Sequence, residues 1–217
     1  MIENDLYIAC LDLKGKRAVV VGAGRIAHEK IVGLLACEAD ITVVAPEADD
    51  RVRALAESGE ITWTKKTFEV GELEGALLVI AATADTEVNK AVFDAAGARS
   101  MLVNVVDVPS LCNFVLPAIS RRGPIAIAVS TSGASPALAK RLRREIEQRV
   151  GDEYALLASL LDEQREWAKR TLPTYDDRRV FFESIVEGQP DPIELLREGK
   201  VDEVRALIAQ ARTKVTI

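Results

Sequence analysis

Short apolar runs alternate with helical segments along the first half of the chain. Each run holds four or five residues with few polar side chains, which is typical of strands buried on both faces of a parallel sheet. Between the runs, apolar residues recur at helical spacing, as Ala27, Ile31 and Leu34 do after the first. This alternation predicts a doubly wound α/β fold of the Rossmann type. The predicted strands are 17–21, 41–45, 61–64, 77–81 and 102–105, and helices after the first are predicted at 51–58 and 87–97.

The pattern changes in the second half of the chain. Two β-rich runs, 114–119 and 125–129, are joined by a five-residue connection, which is short enough for a β-hairpin but not for a crossover helix. Helical spacing then dominates, and a late helix is predicted to start at Asp191 as N-cap, with Pro192 in the first position and Glu194 as a capping-box partner. The other predicted helices are 136–150 and 154–170, with a break in the pattern at 172–177.

A glycine-rich turn follows the first strand. Gly22, Gly24 and Ala27 fit the pattern G-x-G-x-x-A. In this pattern the first glycine makes a tight turn, the second lets the backbone approach a pyrophosphate, and the small third residue lets helix and strand pack closely. The start of the helix offers free N–H groups and a partial positive charge to a phosphate. The strand before and the helix after favour a dinucleotide site, and a plain strand-to-helix turn is the alternative.

Residues after the second and fourth strands bear on the kind of dinucleotide. The second strand of such a fold usually ends in an acid that binds the adenosine ribose, and Glu47, just after Pro46, is close enough to serve. The nearest basic residue for a 2′-phosphate is Arg51, so NAD is favoured over NADP. Thr83 lies in the turn after the fourth strand, where either a cofactor contact or a plain loop fits the sequence.

Two further segments carry candidate chemistry. Asp107 lies just past the fifth strand, where the reactive end of the cofactor is expected, although an aspartate shortly before Pro109 is also an ordinary turn residue. Segment 130–136 is rich in hydroxyls and glycine, and Ser135 can cap the helix that starts at Pro136. Such a turn can also bind an anion. The basic residues that follow on this helix form either an electropositive wall or a solvated face: Lys140, Arg141, Arg143 and Arg144.

Composition narrows the choice of function. The chain has 217 residues, of which 48% are hydrophobic and 29% charged, and a net charge of −6. These values are ordinary for a globular protein and argue against a general nucleic-acid binder. The sequence shows neither a basic leader with an apolar run nor a stretch of roughly 20 apolar residues, so we expect a cytoplasmic protein without signal peptide or membrane span. The three cysteines are widely spaced and the single histidine, His28, lies apart from them, so no metal site is predicted.

Taken in order, these motifs resemble those of the precorrin-2 dehydrogenase family of siroheme synthesis, which occurs free-standing and as the N-terminal half of trifunctional siroheme synthase. Ala23 stands where the family usually has glycine, and Thr131 where it more often has serine. No methyltransferase half follows, so the resemblance implies the free-standing form. It covers about residues 5–150 and rests on segments 13–30, 42–46, 81–83, 104–107, 114–117 and 130–136.

The resemblance implies oxidation of precorrin-2 to sirohydrochlorin with reduction of NAD, and in some members iron insertion into the product. It implies an NAD-binding Rossmann domain at 1–112, a hairpin-and-helix dimerisation region at 113–150 and a small helical domain at 151–217, assembled as a homodimer. The functional aspartate of the family falls on Asp107, and a hydroxyl that is phosphorylated in some members falls on Thr131. Precorrin-2 is a polycarboxylate, which suits a cleft lined by Arg and Lys.

The residues expected at the site form three sets. The catalytic residue is Asp107, either as a proton acceptor or as a group that orients the macrocycle. The cofactor is expected at Gly22, Gly24, Arg25, Ile26, Pro46, Glu47 and Thr83. The substrate is expected at Asn104, Ser130, Thr131, Ser132, Ser135, Lys140 and Arg141.

Two other functions are weighed against the dehydrogenase. An NAD-binding sensor module without catalysis carries the same glycine turn, but it generally ends its second strand in Asp and has no counterpart of the Asp107 and 130–136 segments. A chelatase that has lost its redox step would not need the intact glycine turn. The sequence therefore favours the dehydrogenase.

Overall fold

The computed structural model describes residues 6–215. In it, each of the five apolar runs predicted in the first half of the chain forms a strand. The strands are β1 (Arg17–Val21), β2 (Asp40–Val44), β3 (Thr62–Thr64), β4 (Leu78–Ala81) and β5 (Leu102–Val105). All four pairings are parallel, and the order across the sheet is β3-β2-β1-β4-β5. The chain thus begins in the middle of the sheet, runs to one edge and then crosses to the other. This is the doubly wound order of a Rossmann-type fold, and the predicted fold class is confirmed.

Helices cover both faces of this sheet. Alternate residues of β1 point to opposite faces, and Val20 packs in the same core as Ile31, whereas Val19 packs in the same core as Val92. All four side chains are fully buried. Each predicted strand bound in this part of the chain lies within one residue of the observed one. The helices are α1 (Arg25–Leu35), α2 (Asp50–Glu57) and α3 (Thr86–Gly97).

The free edge of β5 is closed by side chains in place of a sixth strand. The side chain of Asn113 accepts a hydrogen bond from Val103 N–H at 2.7 Å and donates one to the Met101 carbonyl at 2.7 Å. The Asn113 N–H donates to the Val103 carbonyl at 3.0 Å. Next to it, the Cys112 thiol accepts from the Val105 N–H at 3.3 Å. Segment 106–114 is therefore fixed against the sheet at the end of β5.

The chain divides into two compact units between Leu116 and Pro117. The second unit begins with β6 (Ala118–Arg122) and β7 (Ile125–Val129), which pair as an antiparallel hairpin. A hairpin was expected here, and its second strand has the predicted bounds.

The predicted first strand of the hairpin, 114–119, is wrong. Arg121 and Arg122 were expected in the connection but are paired strand residues, and the turn consists of Gly123 and the proline after it. Gly123 has a φ of +51°, a conformation that glycine adopts without steric cost. Only Ser120 of β6 is buried, so both arginines keep their charges in solvent. Their polarity, which suggested a loop, is compatible with a strand of this kind.

The remaining helices pack mainly on one another. The five C-terminal helices share a core in which Leu160, Phe181 and Ile185 are at most 1% exposed. The helix after the hairpin ends one residue before its predicted bound. The six helices of this unit within residues 6–215 are α4 (Pro136–Arg149), α5 (Asp152–Asp162), α6 (Arg165–Thr171), α7 (Tyr175–Val186), α8 (Pro192–Arg197) and α9 (Val201–Val215).

The single helix predicted at 154–170 is instead two helices, α5 and α6. They are separated at Gln164, whose N–H donates to the Leu161 carbonyl in a tightened final turn. The buried Gln164 side chain donates to the Leu160 carbonyl at 3.0 Å and accepts a short hydrogen bond from Arg212. The residue at the break is thus bonded to a partner 48 residues further along the chain, a contact that local periodicity does not reveal.

Side chains cap the starts of α4, α7 and α8 in this unit. Asp191 accepts from the Ile193 N–H at 2.8 Å at the start of α8, as expected, but Glu194 forms an ion pair with Arg197 where a capping-box bond was predicted. A full capping box occurs instead at α7, inside the predicted break. There the Thr174 hydroxyl accepts from the Asp177 N–H at 3.1 Å, and the Asp177 carboxylate accepts from the Thr174 N–H at 3.2 Å.

Candidate active site

Four strands of the parallel sheet end at the same level. Val21 of β1 is the register partner of both Val44 in β2 and Ala81 in β4. Ala81 is in turn the partner of Val105 in β5. Neighbouring strands lie about 4.8 Å apart, so the turns after β1 and β5 are separated by about 10 Å. The sheet thus places the glycine turn and the Asp107 segment along one edge, on either side of the turn after β4.

Gly22 makes the tight turn expected of the first glycine. Its φ is +102°, and its N–H donates to the Val44 carbonyl at 2.9 Å. A Cβ at this position would lie 2.5 Å from the carbonyl oxygen of Ala82, which belongs to the next turn along the edge. Both the backbone conformation and the close approach therefore require glycine.

Gly24 is shaped differently and meets a different need. It is the N-cap of α1, with extended backbone (φ −84°, ψ −171°) and no side chain that caps the helix. A Cβ here would meet nothing within 4 Å, so the protein itself does not require glycine at this position. The open space lies at the uncapped start of an 11-residue helix, where a pyrophosphate would fit and a Cβ would obstruct it. The turn therefore fits a dinucleotide.

The other expected cofactor residues lie around this turn. Arg25 and Ile26 are exposed in the first turn of α1, and Arg25 forms an ion pair with Glu29 at 3.0 Å. Pro46 and Glu47 are exposed after β2. No hydrogen bond or ion pair from within residues 6–215 reaches the Glu47 carboxylate, so it can accept bonds from a ribose.

Thr83 lies beside the glycine turn and is held there. Its methyl carbon is 3.1 Å from the position of a Cβ on Gly22. Its hydroxyl accepts from the Asp85 N–H at 3.1 Å and donates to the Asn89 side chain at 3.0 Å. Asn89 is buried and donates back to the Thr83 carbonyl at 3.0 Å. The loop thus keeps its shape through its own bonds.

Asp107 has a left-handed backbone, with a φ of +61°. Aspartate tolerates this conformation better than most residues, yet it is uncommon outside glycine and often occurs at functional sites. The preceding Val106 N–H donates to the Ala81 carbonyl at 2.9 Å, which ties the segment to β4. Asp107 is exposed, and within residues 6–215 its carboxylate has no hydrogen bond or ion pair. It is available to a ligand.

Asn104 and Cys112 form hydrogen bonds that hold the segment after β5, which contains Asp107. Asn104 is buried, and its amide donates to the Phe114 carbonyl at 3.0 Å and to the Cys112 sulfur at 3.6 Å. The structure therefore gives the Asn104 amide group a bond within the protein, whereas a substrate contact was expected. Burial raises the pKa of the Cys112 thiol, which keeps it protonated, and it donates to the Val105 carbonyl at 3.2 Å.

Segment 130–136, in the second unit, folds into a turn bonded by its own hydroxyls. The Ser130 hydroxyl accepts from the Ser132 N–H at 3.1 Å, and the Thr131 hydroxyl from the Ser135 N–H at 3.0 Å. The Ser135 hydroxyl accepts from the Leu138 N–H at 3.2 Å, which confirms it as the cap of α4. Ser132 is exposed and left-handed, with a φ of +51°.

The basic residues of α4 are not equally available. Arg141 forms an ion pair with Glu145 at 2.8 Å, and Arg143 forms a short one with Glu147. Lys140 and Arg144, one turn apart on the same face, are exposed and have no ion pair within the described part of the chain. Of the four basic residues that the sequence offers for an electropositive wall or a solvated face, Arg141 and Arg143 are thus paired with acids on their own helix.

Two absences apply to the described residues. None of the helices between residues 6 and 215 is long and apolar enough to cross a bilayer. Over the same range, no group of three or more His, Cys, Asp or Glu side chains is arranged to hold a metal ion.

Three family models match consecutive parts of the chain. Residues 9–118 match a family described as "Putative NAD(P)-binding", which covers the whole row of strand ends and makes the first unit a nicotinamide-dinucleotide-binding unit. Residues 122–149 match "Sirohaem biosynthesis protein central", and residues 153–211 match "Sirohaem synthase dimerisation region". The dimerisation model thus falls on the C-terminal helices, whereas the sequence placed this role at 113–150.

Curated relatives and a solved structure agree with these models. The chain is 42% identical over 178 residues to siroheme synthase of Methylobacillus flagellatus and 39% identical over 201 residues to that of Methylococcus capsulatus. These alignments cover 82% and 93% of this chain but 38% and 42% of the relatives. The chain therefore spans about two fifths of their length. The structure of "SirC, precorrin-2 dehydrogenase" is similar with a TM-score of 0.78 and 29% identity, over 96% of this chain and 100% of that one.

Proposed function

The chain belongs to the siroheme synthase family, and on that premise we propose that it oxidises precorrin-2 to sirohydrochlorin with NAD⁺ as hydride acceptor. The observation that carries the proposal is the similarity to a precorrin-2 dehydrogenase over nearly all of both chains. That structure is matched over its whole length, whereas the siroheme synthases are matched over about two fifths of theirs. The activity proposed for this chain is therefore the one named for the protein that is matched in full.

The residues of the first unit fit this reaction. The uncapped start of α1 at Gly24 holds the pyrophosphate, and the exposed Glu47 accepts a hydrogen bond from the adenosine ribose. With Arg25, Ile26, Pro46 and Thr83 around it, the cofactor lies along the row of strand ends. Bound NAD⁺ supplies a hydride acceptor.

Asp107 is proposed to accept the proton that precorrin-2 loses in the reaction. Dehydrogenation removes a hydride from one carbon of precorrin-2 and a proton from a neighbouring atom, and the electron pair left behind forms the new double bond. The Asp107 carboxylate is exposed and unpartnered within residues 6–215, so it can accept that proton and pass it to water. Its left-handed backbone presents it from a segment anchored to both β4 and the edge of β5.

The second unit is proposed to form the dimer contacts and to bind carboxylates of the substrate. The hairpin and α4 leave large apolar side chains exposed, Ile119 at 39%, Leu138 at 47% and Leu142 at 37%. Together with the dimerisation model on residues 153–211, this supports a homodimer. The hydroxyls of the 130–136 turn with Lys140 and Arg144 suit the carboxylates of the substrate. The proposal includes the division of the chain into three domains, at 1–112, 113–150 and 151–217. It also includes a cytoplasmic location, where thiols such as Cys10 and Cys112 stay reduced.

The deciding experiment is an anaerobic reaction of the purified chain with precorrin-2 and NAD⁺. We expect NADH and sirohydrochlorin in equal amounts, followed by the absorbance of NADH and the spectrum of the tetrapyrrole. The control omits precorrin-2. Measurable NAD⁺ binding without NADH formation would overturn the proposal and favour an NAD-binding sensor.

A further inference from the structure

Charged side chains from two elements gather beside the glycine turn. Arg51, in the first turn of α2, donates to Asp49 through Nε at 3.0 Å and through Nη2 at 3.3 Å, so the two side chains form a two-bonded ion pair. On α1, Arg25 is paired with Glu29 at 3.0 Å. The pKa of the Arg51 guanidinium is raised, first by its bond to Asp49 and to a smaller degree by the charge of Glu29. Asp49 is thus the main partner of the Arg51 guanidinium.

Asp49 is fixed at the place where an adenosine ribose is expected. Its N–H donates to the Ala23 carbonyl, inside the glycine turn, at 2.9 Å. Its carboxylate caps α2 by accepting from the Arg51 N–H at 3.0 Å. The residue thus joins the segment after β2 to the pyrophosphate turn. In folds of this type, the ribose hydroxyls of the cofactor meet the protein between these two segments.

We propose that the Asp49–Arg51 pair selects NAD over NADP, because it occupies the guanidinium that would otherwise bind a 2′-phosphate. The inference rests on the cofactor assignment of the proposed function and adds the residues that set its specificity. A guanidinium presents the same two-bonded fork to a carboxylate as to a phosphate. Asp49 holds that fork already. Its own charge would also repel a 2′-phosphate, as would that of Glu47 nearby.

The charge state of the pair supports this assignment. Hydrogen bonds from the side chain and backbone of Arg51 lower the pKa of the Asp49 carboxyl, with smaller contributions from the charges of Arg51 and His28. Asp49 therefore stays ionised over the whole physiological range and keeps hold of Arg51. Arg25, in the first turn of α1, is also paired, through a single contact with Glu29.

Binding measurements on variants test the proposal without any turnover. The Kd values of NAD⁺ and NADP⁺ are measured by isothermal titration calorimetry for the wild type and for Asp49→Asn, which removes the charge but keeps a good N-cap. We expect the wild type to prefer NAD⁺, and Asp49→Asn to bind NADP⁺ about tenfold more tightly than the wild type does. Asp49→Ser, another good N-cap, should behave alike and serves if the first variant folds poorly.

Two further variants identify the source of the gain. In Asp49→Asn with Arg51→Gln, the gain in NADP⁺ affinity should disappear, because the released guanidinium is gone. The matched control is Asp50→Asn, which releases Arg53 from a 3.2 Å ion pair on the same helix. Arg53 also donates to the Ala48 carbonyl at 2.9 Å and should stay there, so Asp50→Asn should leave both Kd values unchanged.

The outcomes separate this inference from the proposed function. An unchanged preference in both Asp49 variants, a gain that survives the loss of Arg51, or equal binding of both nucleotides by the wild type would overturn the pair as selector. If no variant binds either nucleotide, the pair and the cofactor assignment fall together. A confirmed switch in a protein that does not oxidise precorrin-2 would keep the selector and overturn only the reaction.

Discussion

Gly22 and Ala82 belong to neighbouring turns of the sheet and touch so closely that a Cβ on Gly22 would lie 2.5 Å from the Ala82 carbonyl oxygen. The turn after β1 and the turn after β4 are thus packed backbone to backbone. Thr83 follows Ala82 directly, so the spacing between these turns also sets where Thr83 stands relative to the glycine turn.

Replacing Gly22 by alanine should therefore damage the fold. The substitution combines a backbone at φ +102° with a contact that no rotamer relieves, and we expect a loss of at least about 2 kcal/mol in the free energy of unfolding. Urea unfolding followed by circular dichroism measures this loss. An unfolding midpoint equal to that of the wild type would contradict the close packing of the two turns.

Replacing Gly24 by alanine should leave the fold intact and weaken cofactor binding. The new Cβ meets no protein atom within 4 Å, and the cost to the helix start should stay below about 1 kcal/mol. It would instead project into the space assigned to the pyrophosphate. We expect calorimetry to show at least tenfold weaker NAD⁺ binding. Unchanged affinity would remove Gly24 from the cofactor site.

Asp107→Asn should stop catalysis without affecting the cofactor. Asparagine tolerates the left-handed backbone but cannot accept the proton, so we expect kcat to fall by a factor of about 100 or more. The Kd of NAD⁺ should not change. Asp107→Gly is the companion variant, which suits a φ of +61° even better and should be equally inactive. Activity near the wild-type value in either variant would show that Asp107 does not carry the proton.

Asn113→Ala should loosen the edge of β5. It leaves the Val103 N–H and the Met101 carbonyl without their side-chain partner, at a cost of about 1–3 kcal/mol in stability. Asn113→Asp is the matched variant, because it keeps the acceptor for Val103 but sets a carboxylate oxygen against the Met101 carbonyl, to which the amide donated. Its loss at neutral pH, measured by thermal unfolding, should be at least as large as that of Asn113→Ala if the bond to Met101 contributes.

The second unit should lose stability in acid through Asp177. Hydrogen bonds from the Thr174 hydroxyl and N–H lower the pKa of the Asp177 carboxyl below its ordinary value of about 4. The folded state therefore binds this proton less readily than the unfolded state. The stabilisation is complete above about pH 4 and is lost as the pH falls from there through the lowered pKa. Asp177→Asn should flatten the dependence of unfolding on pH in this range.

A neighbouring residue provides the control for that measurement. Asp176 lies in the same helical turn but pairs with Arg179 at 3.3 Å and takes no part in the capping box. Asp176→Asn should keep most of the acid sensitivity. Equal flattening in both variants would attribute the effect to the helix start in general and not to the capping box.

The first unit was largely predictable from sequence, because its determinants are local. Runs such as the one ending at Val21 are buried on both faces, and parallel strands bring their ends to one edge, so the glycine turn and Asp107 were expected there. The second unit was less so. Arg121 and Arg122 indicated a loop but lie in an exposed strand. The predicted helix 154–170 is interrupted at Gln164, whose side chain is bonded to the distant Arg212.

Prediction of the candidate site from sequence was also limited by contacts between distant residues. Asn104 could be read as a polar residue at a strand end, but its bond to the Phe114 carbonyl exists only once the chain has folded back along β5. The ion pair between Asp49 and Arg51 could not be predicted either. A sequence gives the spacing of two charged residues but not whether their side chains bond to each other. Residue types indicate candidate positions for a site, whereas the tertiary bonds decide which of those groups are free to contact a ligand.

The closed edge at β5 prevents a further strand from pairing with the sheet on that side. Asn113 and Cys112 occupy the hydrogen-bonding positions of β5 that another strand would need. Within the described residues, β3 at the opposite edge pairs only with β2. A strand from another chain could thus extend the sheet on the side far from Asp107 and not beside it. The edge of the sheet beside Asp107 is thus protected from the association that open edges invite.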